Sequence, residues 1–105
     1  MSDYNLRQLE KMHLQISAYK DGKIDLRSLI EDLMFLRDAL EEVEQKWEHD
    51  FTDRIIDLES AYSYALEKNA GNLDSLTQKI VEDALPKLQF LIEQKKQCYL
   101  VNKSS

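Results

Sequence analysis

Leu26-Arg-Ser-Leu29-Ile-Glu-Asp-Leu33-Met-Phe-Leu36-Arg-Asp-Ala-Leu40-Glu-Glu-Val43-Glu-Gln-Lys-Trp47 places its apolar residues at steps of 3, 4, 3, 4, 3 and 4. A strand would alternate with period two; this spacing instead lays seven side chains along one helical seam suited to shallow-angle packing. Asp25, immediately before it, is a natural N-cap. Upstream, Leu6, Leu9, Met12, Ile16 and Tyr19 form a second apolar stripe. Asp3 is placed to cap it, and Asp21-Gly22 to close it, because glycine accepts the left-handed conformation that ends helices.

Downstream, Phe51, Ile55, Leu58, Tyr62, Ala65 and Leu66 make a third stripe, out of phase with the first because Trp47 to Phe51 repeats a step of four. One unbroken helix from Asp25 to Asn69 would be about 67 Å long, against a radius of gyration of about 13 Å for a domain of this size. The phase shift therefore predicts a kink or break near residues 48–53, with Asp50 or Thr52 capping the new start; one long bent helix is the alternative. Asn69-Ala70-Gly71-Asn72 ends that segment. Ser75-x-x-Gln78 resembles a capping box, with Thr77 as a rival cap. Ile80, Val81, Ala84, Leu85, Leu88, Leu91 and Ile92 form the last stripe, and Pro86 within it predicts a kink, not an end. Four stripes of similar length with short connections bury one another in an all-α, antiparallel four-helix bundle. It forms a single helical domain over 1–105, with an ordered core over about 4–98 and a polar tail at 102–105.

Composition agrees with this. The 105 residues include two glycines and one proline, too few for the turns of an all-β fold, and 32% are charged. The net charge of −6 argues against nucleic acid as a partner, since phosphate contacts need clustered Lys and Arg. No uncharged run approaches the roughly 20 residues of a membrane span, and the start carries no secretory pattern. Cys98 is the single cysteine, which fits a reducing cytoplasm.

The residues offer little for catalysis. Glu10-x-x-His13 has the spacing of a dimetal bundle ligand pair, but the other histidine, His49, follows Lys46 where a second glutamate is required. A local pairing of His13 with Glu10 is expected. His49 with Asp50 and Asp53 reads as a solvated helix end, and Cys98 behind Lys95-Lys96 lies too near the terminus to serve as a catalytic platform. No catalytic, cofactor or metal residue is assigned, and no enzyme is expected.

The acid is not evenly spread. Residues 31–59 hold eleven acids against Arg37, Lys46 and Arg54, a net of −8; the other 76 residues sum to +2. Within one helix Asp38–Glu41, Asp38–Glu42 and Glu44–Glu48 would be like-charged neighbours, each costing a few tenths of a kcal/mol. Asp38, Glu41, Glu42 and Glu48 fall off the apolar seam. Met34 and Phe35 fall on opposite outer flanks, and Asp53, Asp57, Tyr64 and Glu67 face away from the third stripe. Aromatic anchors among carboxylates are what a surface for a basic protein needs. The expected partner-binding residues are Phe35, Asp38, Glu41, Glu42, Glu48, Asp53, Asp57, Tyr64 and Glu67.

The segment Tyr19-Lys-Asp-Gly22-Lys-Ile-Asp25-Leu-Arg-Ser-Leu29-Ile-Glu-Asp-Leu33-Met-Phe-Leu36, with Trp47-x-x-x-Phe51 and Asp57-Leu-Glu59-x-x-Tyr62-x-x-Ala65-Leu66, resembles the small helical immunity proteins of bacterial contact-dependent growth inhibition and related polymorphic toxin systems. The likeness spans Leu14 to Ile92. It implies a cytoplasmic protein that binds the toxic C-terminal domain of a cognate effector, often a basic nuclease. Neutralisation would come from covering the active site or a required cofactor site, with the immunity protein a monomer in a 1:1 complex. Leu58, Tyr62, Ala65 and Leu66 match as scaffold positions, and Glu59 matches without an evident role. The alternative reading is a helical adaptor, regulator or secretion-chaperone-like module.

Overall fold

The computed structural model describes residues 2–69 and 73–104. They form four helices, α1 (Ser2–Lys20), α2 (Leu26–Ala39), α3 (Gln45–Asn69) and α4 (Ser75–Ser104), with no strand among the described residues. Each helix packs on its sequence neighbours and α4 returns to α1, so that α1 and α3, and likewise α2 and α4, are diagonal. This is the expected four-helix bundle, 51 Å long and 26 by 20 Å across. The helices are less equal than expected, at 19, 14, 25 and 30 residues.

The chain signals at α1 and α2 act as read. Lys23 N–H donates to Ala18 O at 2.8 Å and Gly22 N–H to Tyr19 O at 3.0 Å, the paired closure of a Schellman motif, with Gly22 at φ +77°. Asp25 caps α2 by accepting from Ser28 N–H at 2.8 Å. Asp3 does not cap α1; it lies inside the first turn, where its charge still complements the helix dipole. At α4 the cap falls one residue earlier than expected. Asp74 accepts from Thr77 N–H at 2.8 Å and its own N–H donates to Thr77 Oγ1 at 3.0 Å, a reciprocal capping box with threonine at its third position. The stop expected at Ala70-Gly71-Asn72 lies outside the described residues. Pro86 lies inside α4 without ending it, on an exposed side. The backbone beyond it stays helical through Ser104, so residues 102–104 of the expected tail continue the helix.

The break between the second and third segments is not at 48–53. α2 stops at Ala39 and α3 starts at Gln45. The cause is an amide on another helix. Asn5, 4% exposed on α1, accepts from Glu41 N–H at 2.9 Å and donates to Glu41 O at 2.6 Å. Its Nδ2 also donates to Tyr99 Oη on α4 at 2.8 Å. One side chain thereby satisfies both backbone groups of a residue that has left its helix. Asp50 and Thr52, the expected caps, are engaged elsewhere, Asp50 with Lys46 at 3.3 Å and Thr52 Oγ1 with Arg37 Nη1 at 3.1 Å.

The core takes Leu9, Met12 and Ile16 from α1, Leu29 and Leu33 from α2, Phe51, Ile55 and Leu58 from α3, and Val81, Leu88 and Ile92 from α4. Leu66 and Ile80, expected on apolar stripes, are instead exposed. Trp47 joins α3 to α4. Its indole stacks on Phe51 with centroids 5.0 Å apart, its N–H donates to Leu91 O at 2.9 Å, and the buried Lys95 ammonium lies 5.7 Å over its ring.

Two predictions follow from these anchors. Asn5→Asp keeps the shape but sets a carboxylate against Glu41 O; it should cost about 2–3 kcal/mol, with Tyr99→Phe milder at about 1 kcal/mol. Urea unfolding measures both, and an Asn5→Asp protein within about 0.5 kcal/mol of wild type would remove the amide from its central role. The Asp25 carboxyl is held below its ordinary range chiefly by the Ser28 N–H. A carboxylate depressed in the folded state contributes stability above its unfolded pKa, and the contribution is lost as pH falls through the folded value. Asparagine caps as well without titrating, so Asp25→Asn should match wild type at neutral pH and lose less stability on acidification. Parallel acid slopes for the two proteins would contradict this.

Candidate protein-binding surface

The α2–α3 corner is built around fixed backbone and free carboxylates. Leu40 N–H turns back to Arg37 O at 3.2 Å, Leu40 itself is extended, and Glu41 is held by Asn5. Glu42 then takes φ +55°, the single non-glycine among the described residues with positive φ. Val43 turns half inward onto the core, and Glu44 O receives Glu48 N–H at 3.0 Å to start α3. The side chains of Glu41, Glu42 and Glu48 are exposed, and none makes a side-chain hydrogen bond or ion pair. Asp38, also exposed, is paired with Arg37 at 3.0 Å. Because α2 ends at Ala39, Asp38 is not a helical neighbour of Glu41 or Glu42, and the expected like-charge cost does not arise there. The corner stores its strain in the backbone of Glu42 instead.

Along α3, Asp53, Asp57 and Tyr64 recur at steps of four and seven and share one stripe. Asp53 is exposed without a partner and Tyr64 is 43% exposed. Asp57 is half-buried, with Oδ2 3.4 Å from Arg54 Nε. That contact is attractive but not aligned as a hydrogen bond, leaving Arg54 Nε a buried atom with no hydrogen-bond partner. Glu67 is exposed toward the end of the helix. Glu48 stands about 140° around α3 from Asp53.

The expected residues thus do not form one patch. Asp38, Glu41, Glu42 and Glu48 belong to the corner. Asp53, Asp57 and Tyr64 follow the α4 side of α3, where Asp53 lines a groove of about 420 Å³ with Asp50, Arg54, Pro86, Lys87, Phe90 and Leu91. Phe35, 73% exposed, lines a groove of about 380 Å³ between α1 and α2. With α1 and α3 diagonal, the two grooves lie on opposite faces. Phe90, 67% exposed, is the residue that sequence reading missed. Its signal was there: it sits off the Leu85–Leu88–Ile92 stripe as Phe35 sits off its own.

Of the residues weighed for chemistry, His13 pairs not with Glu10 but across the bundle, Nε2 3.2 Å from Glu93 Oε2. Bonds from Gln97 and then His13 hold that carboxyl below its usual range. His49 and Cys98 are exposed. Among the described residues no three of His, Cys, Asp or Glu gather as a metal site, and no helix is long and apolar enough to cross a membrane.

A left-handed glutamate with a free side chain separates stability from charge. Glu42→Gly should relieve the backbone and gain about 0.5–1 kcal/mol in urea unfolding, whereas Glu42→Ala keeps the strain and should be neutral or worse. A glycine variant less stable than wild type would mean that the Glu42 side chain holds the corner.

No family model, no curated protein and no solved structure matches this chain.

Proposed function

We propose that this protein is an immunity-type inhibitor that binds a basic toxin domain stoichiometrically, one chain to one toxin, acting without catalysis in the bacterial cytoplasm. The observation that carries the reading is the acid left uncommitted on the −8 stretch. Glu41, Glu42, Glu48 and Asp53 are exposed and lack partners, and the backbone under the first is pinned by Asn5. Carboxylates already presented on a rigid corner lose little freedom on binding. They attract a surface evolved to grip phosphate, which is what a nuclease offers. The resemblance over Leu14 to Ile92 supplies the class of partner. Tyr64, with Asp57 and Glu67 beside it on α3, serves as an anchor once the complex has formed, while the corner steers the approach. Covering the toxin's cationic site with fixed carboxylates excludes its substrate without any bond being made or broken.

The test begins with co-expression against the C-terminal domain encoded immediately upstream. Rescue of otherwise dying cells and a stable 1:1 complex are expected; a harmless neighbour that does not bind would overturn the proposal in favour of an adaptor or chaperone. Within the complex, Glu41→Lys with Glu42→Lys should slow association about tenfold or more at low salt, and wild-type association should slow as salt rises. Tyr64→Ala should weaken binding by about 1–3 kcal/mol, mainly through faster dissociation. Association flat across salt, or untouched by the double reversal, would place the interface elsewhere.

A further inference from the structure

We infer that the basic toxin domain seats on the outer face between α2 and α3, laying a cationic side chain in the groove beside Glu59. This deepens the inhibitor reading above and rests on it. The groove, about 240 Å³, is floored by Ile30, Met34 and Tyr62 and rimmed by Arg27, Glu31 and Glu59. Arg27 Nε and Glu31 Oε1 hold each other at 3.1 Å. Glu59 is left over: it is exposed and, among the described residues, has no side-chain hydrogen bond or ion pair. Charge separates this groove from its neighbours. Between α1 and α2, exposed Lys11 has no ion pair, while Asp32 is held by Gln15 at 2.6 Å. Between α3 and α4, exposed Lys87 likewise has none, and Asp53 is in the same groove. Beside Trp47 the charges are matched, Glu44 with Lys95 and Lys46 with Asp50. Between α1 and α4, Lys20 shares its groove with Glu82, and both are bonded to glutamines. In those grooves an incoming cation meets an uncommitted cation or no free acid. Against α2 and α3 it meets a free carboxylate, and the one cation there is already paired.

The same sign continues along the face. Glu48 precedes Glu59 by three helical turns, so the two lie within about 20° of one edge of α3 and about 16 Å apart along it. Glu48 adjoins the corner, where Glu41 and Glu42 are also unpaired. The other α2 cation on this face, Arg37, is tied to Asp38 at 3.0 Å. It also reaches Thr52 on α3 at 3.1 Å, which sets Met34, one turn further along, level with Ile56. Ile56 is 49% exposed and stands three residues before Glu59. The face therefore has an apolar centre with free carboxylates at both ends, the arrangement of an anchor within a charged rim. A lysine or arginine of the toxin lays its stem over Met34 and Tyr62 and sets its charge against Glu59. Ile56, Ser60 and Tyr64 follow one another at steps of four, so the same partner reaches Tyr64 across the ridge of α3.

Surface plasmon resonance of the full chain on the immobilised upstream C-terminal domain tests the seat, with circular dichroism showing each variant folded. Glu59→Lys should weaken binding about tenfold or more, and Ile56→Ala about fivefold or more through faster dissociation. Glu10→Lys is the matched control. It makes the same change of charge at an exposed position on α1, diagonal to α3, and should shift affinity less than about threefold. Equal losses from Glu59→Lys and Glu10→Lys would overturn the seat, because net charge alone would then account for both. So would wild-type affinity in a protein carrying Ile56→Ala with Glu59→Lys, an outcome in which the complex still forms and the inhibitor reading stands. Failure of the wild-type chain to bind the upstream domain would instead overturn that reading, and the seat with it.

Discussion

The amide of Asn5 is the constraint on which the rest of this bundle depends. Without it, residues 26–47 carry everything needed to continue as one helix: no glycine or proline interrupts them, and their apolar steps stay in register from Leu26 to Trp47. A helix that long would leave α1 and α4 with nothing to close against. Asn5 takes both backbone groups of Glu41 and the hydroxyl of Tyr99, fixing in one buried site where α2 ends, where α1 begins to pack and where α4 passes. Such a hub is powerful because the alternative is costly: three part-buried polar groups would each lose a partner if the side chain changed.

This explains what the sequence could and could not disclose. Helix ends set by neighbouring residues were legible, Asp21-Gly22 and Asp25 among them, because the chemistry of the stop lies within a few positions of it. The turn at 40–44 was not, because its cause lies 36 residues away and its local signals point the other way. Phase was read correctly and its consequence was not: Leu40, Val43 and Trp47 all reach the core although the chain turns between them, so the heptad seam survives a change of direction. Similarly, His13 was expected to find Glu10 within its own helix and finds Glu93 on another. Exposure was legible for the expected residues apart from half-buried Asp57, whereas their division among a corner, a stripe and an opposite groove required the arrangement of helices.

The moved break also changes what the acid costs. With Asp38 in α2 and Glu42 in the loop, repulsion between them acts through solvent and not along a helix, where it would have been a standing penalty. The penalty reappears as a glutamate in the left-handed region. Glycine or asparagine would occupy that position with less strain. A charged side chain there, unpartnered and next to the pinned backbone of Glu41, is the kind of local inconsistency that structures retain where a surface has work to do.

Net charge bears on what the corner can meet. Two copies of a chain at −6 repel at long range, whereas a basic partner is drawn in. The cations of the acidic stretch are consumed at home, Arg37 by Asp38, Lys46 by Asp50 and Arg54 by Asp57. What remains unpaired at the corner, Glu41, Glu42 and Glu48, is negative. That arithmetic leaves the corner suited to a partner of opposite charge.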